Sequence, residues 1–383
     1  MAFITGPRQV GKTTLAQSFL NPEQEGYFNW DNATQQKNIL KNPDTFWKEP
    51  KILSRIVLDE IHKYPRWKRF LKGFYDLNRN NVEILVTGSG RLDIYQRGGD
   101  SLLGRYNQFH LAPFSLGELA GSYKQDLAPQ NCIQKILDIS KAKYKNELEQ
   151  LWHFGGFPDP LFKAEDLYLG RWQNDYRRLI LREDLRDLSH IREIGLIEQM
   201  LLLLPERIGS PLSLNSLRED LDVNIRSVQN WISTLEKLFL LFSISPYFKK
   251  IARSLKQQKK IYFYDWSSLE NEGSKFENLI ATHLLKACQY WTDMGYGIFQ
   301  LHYVRNKEKK ECDFLITKNQ KPFLLVEAKF AEKQLDSSLP YFHKILATPY
   351  AFQVFYDANS YLLETGEKGL YLCSANRFLQ ALP

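Results

Sequence analysis

The eight residues GPRQVGKT, Gly6 to Thr13, constrain what this chain can fold into more than any other stretch. Glycine at both ends of the turn lets successive backbone N–H groups converge on one anion. Lys12 is then placed to reach the outer phosphates of a nucleoside triphosphate, and Thr13 to hold Mg²⁺. Such a loop works between a buried strand and the start of a helix. The apolar AFIT before it and TTLAQSFL after it supply that context. Gly6, Pro7, Arg8, Gln9, Val10, Gly11, Lys12, Thr13 and Thr14 are the expected nucleotide-binding residues, with ATP and Mg²⁺ as expected cofactors.

A phosphate loop needs an acidic pair at the end of a second buried strand, and RIVLDE supplies it. Asp59 is expected to organise the Mg²⁺, and Glu60 to orient and deprotonate an attacking water. A third strand ends in VTGSGR, where Ser89 is expected to touch the γ-phosphate or the water, with Thr87 as the alternative. Charge grows on the γ-phosphate oxygens in the transition state, so an arginine is expected near them. Arg105 in SLLGRY and Arg91 in SGR are the two choices; Arg105 fits if subunits pack side by side and it acts in trans on a homo-oligomer.

The remaining composition narrows the class. At 383 residues the chain is long enough for two or three cores. A net charge of +7 permits a nucleic-acid partner without requiring one. Cys132, Cys288, Cys312 and Cys373 show none of the close spacing of zinc or redox motifs, which points to a reducing compartment. Apolar runs such as MLLLLP are too short to span a bilayer. The N-terminus carries no secretory pattern, so a cytoplasmic location is expected.

Along residues 1–120, AFIT, GYFNW, RIVLDE and VEILVTGS are continuous apolar runs, as in strands of a parallel sheet covered on both faces. Residues 126–195 have helical patterning broken by GGFPDP. Residues 196–250 suggest three short helices and then a strand, FLLFSISPYF. Ser213 and Asn224 are positioned to cap the second and third of these helices. Val228, Ile232, Leu235 and Leu238 share the inner face of the last helix, leaving Arg226, Gln229, Asn230 and Ser233 outside. Those outer types suit base edges or phosphates, so Arg226, Gln229 and Asn230 are the candidate DNA contacts, although such modules also serve as connectors. The segment KKIARSLKQQKK, residues 249–260, is a basic run.

In the last third, ECDFLITKNQKPFLLVEAKF has the pattern of a hairpin. Asp313 lies on its first strand; Glu327 and Lys329, two apart on the second, share a face. Glu277, on the preceding helix where Phe276, Leu279, Ile280, His283 and Leu284 mark a packed side, completes Glu…Asp…Glu-x-Lys. Hard oxygens with a lysine beside them suit Mg²⁺-dependent phosphodiester cleavage. The bare pattern recurs by chance about once in a chain this long, so its weight comes from carboxylates interrupting apolar strands. Lys329 pairing Glu327 in a purely structural salt bridge is the other reading.

GPRQVGKTT, RIVLDEIHK, VTGSGRL and LLGRY…LAPFSLGEL together resemble the AAA-type ATPases of bacteria and archaea that carry a C-terminal domain of unknown function. LWHFGGFPDPL resembles the Gly-Gly-aromatic-Pro element that follows their ATPase core. The resemblance implies an α/β multidomain chain: a P-loop AAA+ core with a parallel sheet and flanking helices (1–125), a helical lid (126–195), a winged-helix-like segment (196–260) and a restriction-endonuclease-like α/β domain (261–383). It puts Arg105 in the arginine-finger position. It also implies a segment before the loop that helps hold adenine; this chain starts five residues before Gly6, so that segment is expected to be missing or the start to lie upstream. The implied function is ATP hydrolysis coupled to DNA binding or processing. The alternatives are an ATP-switched binding protein whose C-terminal domain does not cut, and a signalling ATPase whose C-terminal domain mediates assembly.

Overall fold

The computed structural model describes residues 1–20, 26–48, 52–88, 102–121, 124, 126–141, 143–181, 194–247, 258–331 and 334–383. The chain divides into two compact units, Met1–Ala112 with Lys237–Phe239, and Pro113–Glu236 with Leu240–Pro383.

The first unit is built on five parallel strands, β1 (Ala2–Thr5), β2 (Tyr27–Asn29), β3 (Arg55–Asp59), β4 (Glu83–Thr87) and β5 (Asn107–His110), in the order β2-β3-β4-β1-β5. Consecutive apolar residues point to opposite faces, and both faces are covered, which is why the strands are continuous rather than alternating. Phe3, Ile56, Leu58, Ile84 and Val86 pack on one side with Trp67, Leu71 and Phe74 of helix α3 (Trp67–Asn78) and Ile39 of α2 (Ala33–Lys41). Ile4, Val57 and Leu85 pack on the other side with Ala16 of α1 (Lys12–Ser18). The loops after β1, β3 and β4 leave from the same, C-terminal, edge of the sheet, the side on which α/β folds bind ligands.

The second unit begins with short helices α4 (Leu116–Leu119), α5 (Pro129–Asp138), α6 (Lys145–Phe154), α7 (Pro158–Lys163) and α8 (Asp166–Leu179). The expected Gly-Gly element works by close approach. A β-carbon on Gly156 would lie 2.7 Å from the Phe114 carbonyl oxygen and 2.8 Å from the Trp266 ring. In LAPFSLGEL, Ser115 and Glu118 form a capping box on α4, and the Leu116 N–H donates to His283 Nε2 at 3.1 Å. A β-carbon on Gly117 would meet the backbone oxygen of Leu382 at 1.9 Å. Gly117→Ala should therefore cost about 1–3 kcal/mol through forced backbone movement, measurable as a lower denaturation midpoint; an unchanged midpoint would refute this packing argument.

Helices α9 (Ile194–Leu203), α10 (Leu214–Asp220) and α11 (Ile225–Lys237) follow, then strands β6 (Leu241–Pro246) and β7 (Lys260–Phe263), which pair antiparallel. The Ser213 side chain accepts from Ser216 N, and the Asn224 side chain accepts from Arg226 N. Val228, Ile232, Leu235 and Leu238 are buried, while Arg226, Gln229 and Asn230 are exposed. Helix α12 (Glu272–Asp293), β8 (Phe299–Arg305), β9 (Glu311–Lys318), β10 (Lys321–Lys329), α13 (Ser338–Leu346), β11 (Tyr350–Phe355), β12 (Leu362–Glu364), β13 (Leu370–Ser374) and α14 (Ala375–Leu379) complete it. Among the described residues the strands of this unit form one eight-stranded sheet in the order β12-β13-β11-β10-β9-β8-β6-β7. β9 and β10 are the expected hairpin, and Asn319 and Gln320 at its turn both have positive φ (49° and 66°). The β6–β7 pair adjoins β8, so residue 260 belongs to the same sheet as the hairpin.

Candidate functional site

In the first unit the three loop ends meet around one buried carboxylate. Asp59, only 4% exposed, accepts at Oδ2 from Thr13 Oγ1 (3.1 Å) and from the Tyr27 hydroxyl (2.5 Å), and at Oδ1 from Thr87 Oγ1 (2.5 Å). Thr13 therefore stands beside Asp59, the contact that the sequence predicts for a shared Mg²⁺. Lys12 is almost fully buried, and its Nζ donates to the carbonyl oxygens of Gly6 (3.0 Å) and Pro7 (2.5 Å). Gly6 has φ +156° and lies so close to β5 that a β-carbon would come 2.0 Å from the Leu111 carbonyl oxygen. Gly11 has φ +97°, and Gln9 adopts a left-handed φ of 57°. This alternation aims backbone N–H groups into one concavity. Pro7, Arg8, Val10 and Thr14 belong to the same loop and first helical turn.

Glu60 follows Asp59 in a left-handed conformation (φ 56°, ψ 20°), uncommon for a residue with a β-carbon and costing about 1–2 kcal/mol. The strain turns the chain sharply off β3. The Glu60 carboxylate lies 3.4 Å from Lys63 Nζ and 3.5 Å from His62 Nε2. Burial raises its pKa above the ordinary carboxylate value, opposed by Lys63 and reinforced by Asp59. Lys63 is also held by Asp31 at 2.6 Å. Ser89 and Arg91 lie outside the described residues; Thr87, the alternative to Ser89, touches Asp59 directly.

Arg105 sits at the other end of the sheet. Its carbonyl accepts from the Met1 ammonium at 3.2 Å, and Asn107 pairs with Ala2. It is thus separated from its own phosphate loop by at least the length of the four-residue β1, about 13 Å. Its guanidinium makes a two-pronged pair with Asp76 of α3, Nε to Oδ1 at 2.8 Å and Nη2 to Oδ2 at 3.0 Å.

Sequence reasoning missed Tyr27 and His62. Tyr27 lies on β2, and only the strand order β2-β3 reveals that its hydroxyl reaches Asp59. The donor set fits Mg²⁺: a hydroxyl and a carboxylate, both hard oxygens, next to the glycine-bounded loop.

In the second unit Glu277, Asp313, Glu327 and Lys329 lie in one cluster, and between Glu277 and Asp313 stands a residue that the sequence counts only as part of a basic run. Lys260, 1% exposed, has its Nζ 3.3 Å from Glu277 Oε1, 3.3 Å from Asp313 Oδ1 and 2.7 Å from Glu311 Oε1. Tyr262 donates to Glu277 Oε1 at 2.7 Å. Asp313 Oδ2 accepts from Ala328 N and Glu327 Oε2 from Asp313 N, both at 3.1 Å. Lys329 pairs with Glu327 Oε1 (3.0 Å) and Asp336 (3.2 Å). Gly209, with φ +77°, lies over Glu277: a β-carbon there would be 2.5 Å from Oε2.

Mg²⁺ needs near-octahedral oxygens at about 2.0–2.1 Å. Here the space between Glu277 and Asp313 is spanned by an ammonium. Among the described residues no group of three or more His, Cys, Asp or Glu is arranged to hold a metal ion. The cluster does not fit the Mg²⁺ that Glu…Asp…Glu-x-Lys implies.

Burial first, and then the charge of Asp313, pushes Glu327 up to about 8 and Glu277 to about 7 from an ordinary value of 4.5. A carboxyl whose folded pKa is raised contributes stability that is complete below its unfolded pKa and lost as pH rises through the folded one. The denaturation temperature should thus decline between about pH 5 and pH 9, and Glu327→Gln should flatten that decline. Parallel profiles for the two proteins in a thermal melt series would contradict the assignment.

Arg226, Gln229 and Asn230 stand on one exposed face of α11. Of the basic run, residues 249–257 lie outside the described residues. No helix among the described residues is long and apolar enough to cross a membrane.

Residues 1–120 match the model of the AAA domain. Residues 145–271 and 272–380 match two models described as domains of unknown function, DUF8612 and DUF4143. An uncharacterized protein of Mycobacterium tuberculosis is 21% identical over 332 residues, covering 84% of this chain and 69% of the relative. An uncharacterized protein of Methanocaldococcus jannaschii is 25% identical over 392 residues, covering 91% and 79%. Among solved structures, the Aeropyrum pernix ORC1 protein in complex with DNA aligns with TM-score 0.31 and 14% identity, covering 73% of this chain and 86% of that one. The closed state of Hsp104 with ATPγS and casein aligns with TM-score 0.26 and 12% identity, covering 93% and 61%. What these comparisons establish is a likeness of the N-terminal unit to AAA domains, the nucleotide-binding class that its phosphate loop and parallel sheet indicate.

Proposed function

We propose that the chain is a Mg²⁺-dependent ATP hydrolase of AAA type whose nucleotide state is passed to a C-terminal binding module. The observation that carries this is the contact of Thr13 with Asp59 beneath a glycine-shaped loop, with Glu60 next in the chain. In this reading the backbone N–H groups of residues 8–13 and the Lys12 ammonium hold the phosphates. Lys12 leaves the carbonyls of Gly6 and Pro7 for the β- and γ-phosphates, exchanging neutral partners for anionic ones. Thr13 and Asp59 would hold the Mg²⁺, which neutralises developing charge on the phosphoryl oxygens. Tyr27 and Thr87 keep the Asp59 carboxylate oriented. Glu60 takes the proton of the attacking water; its raised pKa makes it a better base than an exposed carboxylate. Arg105 stabilises the transition state in a neighbouring copy, because its place at the far end of β1 suits no role in cis.

For the C-terminal half, the resident Lys260 favours binding over cutting, and the exposed Arg226, Gln229 and Asn230 supply a polar face for nucleic acid. DNA binding through that face would weaken steeply with added salt, and its absence at low salt would leave assembly as the role of this half.

Equilibrium binding of a fluorescent ATP analogue tests the nucleotide site. Lys12→Ala should weaken binding by about tenfold or more, since a charge-assisted contact is worth about 1.5–3 kcal/mol. Affinity unchanged in that variant would remove the phosphate-loop assignment.

A further inference from the structure

We infer that Lys260 is the built-in cation of the Glu277–Glu311–Asp313 group beside Glu327, and that this nuclease-like site holds an ammonium in place of a divalent metal. The inference deepens the proposed non-cutting role of the C-terminal half and rests on it.

An ammonium has three donors. Lys260 has three carboxylates around it, Glu277, Glu311 and Asp313, all within 3.3 Å. Its valence is filled by side chains that would otherwise be ligands. The stem is sheathed as well: all four residues of β7 are buried, and the ring of Tyr303 lies 5.5 Å from Nζ. A surface lysine that had strayed into the cluster would show neither feature.

Lys260 is one of three cations described in and around the cluster. The described cluster holds five carboxylates, Glu277, Glu311, Asp313, Glu327 and Asp336, paired by Lys260, Lys329 and Arg305. Removing a buried cation from among like charges is costly, so the lysine is needed to keep the carboxylates in the fold.

One side of the cluster is covered by a turn that is bonded to the strand delivering the lysine. The turn carrying Gly209 lies against Glu277 Oε2. Two residues on, Pro211 bridges to Lys260, and Leu212 N donates to the Lys259 carbonyl at 2.8 Å. Cap and cation are thus stitched together and to the edge of the sheet. A metal would have to displace both.

Mn²⁺ binding to the nucleotide-free full-length chain, followed by electron paramagnetic resonance, tests this. The wild type and Asp313→Asn should give superimposable isotherms, because no ion sits on Asp313. Lys260→Met frees the carboxylates and should gain one Mn²⁺ that is lost again when Asp313→Asn is added. Loss of a bound Mn²⁺ on Asp313→Asn in the wild-type background would overturn the inference. So would a folded Lys260→Met that gains no ion. If Lys260→Met does not fold, the comparison of wild type with Asp313→Asn decides alone. Incubation with linear, single-stranded and supercoiled DNA in Mg²⁺ separates the two levels. Mn²⁺ at Asp313 without cutting defeats only the inference; Mg²⁺-dependent cutting abolished by Lys329→Ala defeats the non-cutting reading too. A failed nucleotide site, read at Lys12, leaves the Mn²⁺ comparison untouched.

Discussion

Replacing Glu60 with glutamine is expected to lower ATP turnover by about 10²–10⁴-fold, the usual worth of a positioned general base. Nucleotide affinity should change little, because glutamine keeps the shape and the hydrogen-bonding oxygen while losing only the proton-accepting charge. The size of the effect follows from the site. Glu60 is held in a left-handed conformation, and its carboxylate is partly buried beside Lys63 and His62. Backbone strain kept at a polar residue suggests that its position matters for function. Steady-state turnover together with analogue binding separates the outcomes. A fall in affinity with turnover per bound nucleotide intact would make Glu60 a structural residue.

The second large effect concerns Arg105. Arg105→Ala should reduce turnover by about 10³-fold, the lower range for an arginine acting on a transferring phosphoryl group. The geometry adds a sharper expectation. Since Arg105 and the loop lie at opposite ends of β1, the proposed role requires the arginine of one copy to serve the loop of another. Mixing Arg105→Ala with Lys12→Ala subunits should then recover activity, because some interfaces combine an intact loop with an intact arginine. The pairing with Asp76 offers a bland reading, in which Arg105 only ties β5 to α3. That reading predicts a lower denaturation temperature, no specific loss of turnover and no recovery on mixing.

The parallel sheet of the first unit could be read from the sequence because both of its faces are covered. AFIT, RIVLD and EILVT each carry a continuous apolar run that is buried, and the loop glycines take the positive φ values that the turn requires. The caps at Ser213 and Asn224 and the hairpin turn at Asn319–Gln320 were legible for the same reason: local chemistry decides them. What sequence did not disclose depends on strand order. Tyr27 reaches Asp59 because β2 lies beside β3. Lys260 enters the carboxylate cluster because β7 extends the sheet past β8 and β6. Its one local sign is a lysine opening the apolar run KIYFY, where a cation needs partners. Reading it as the tail of a basic segment hid that sign. The Glu…Asp…Glu-x-Lys residues lie near one another in the fold, yet a residue pattern cannot reveal what stands between them.

ATP hydrolysis by the purified full-length chain, measured with and without Mg²⁺ in the wild type and in Lys12→Ala, tests the central claim most directly. The account predicts turnover that requires Mg²⁺ and falls by at least about 10²-fold in the variant, as when one main transition-state donor is removed. Turnover that is indifferent to Mg²⁺ or to Lys12, or a folded wild type with no turnover at any protein concentration, would contradict it.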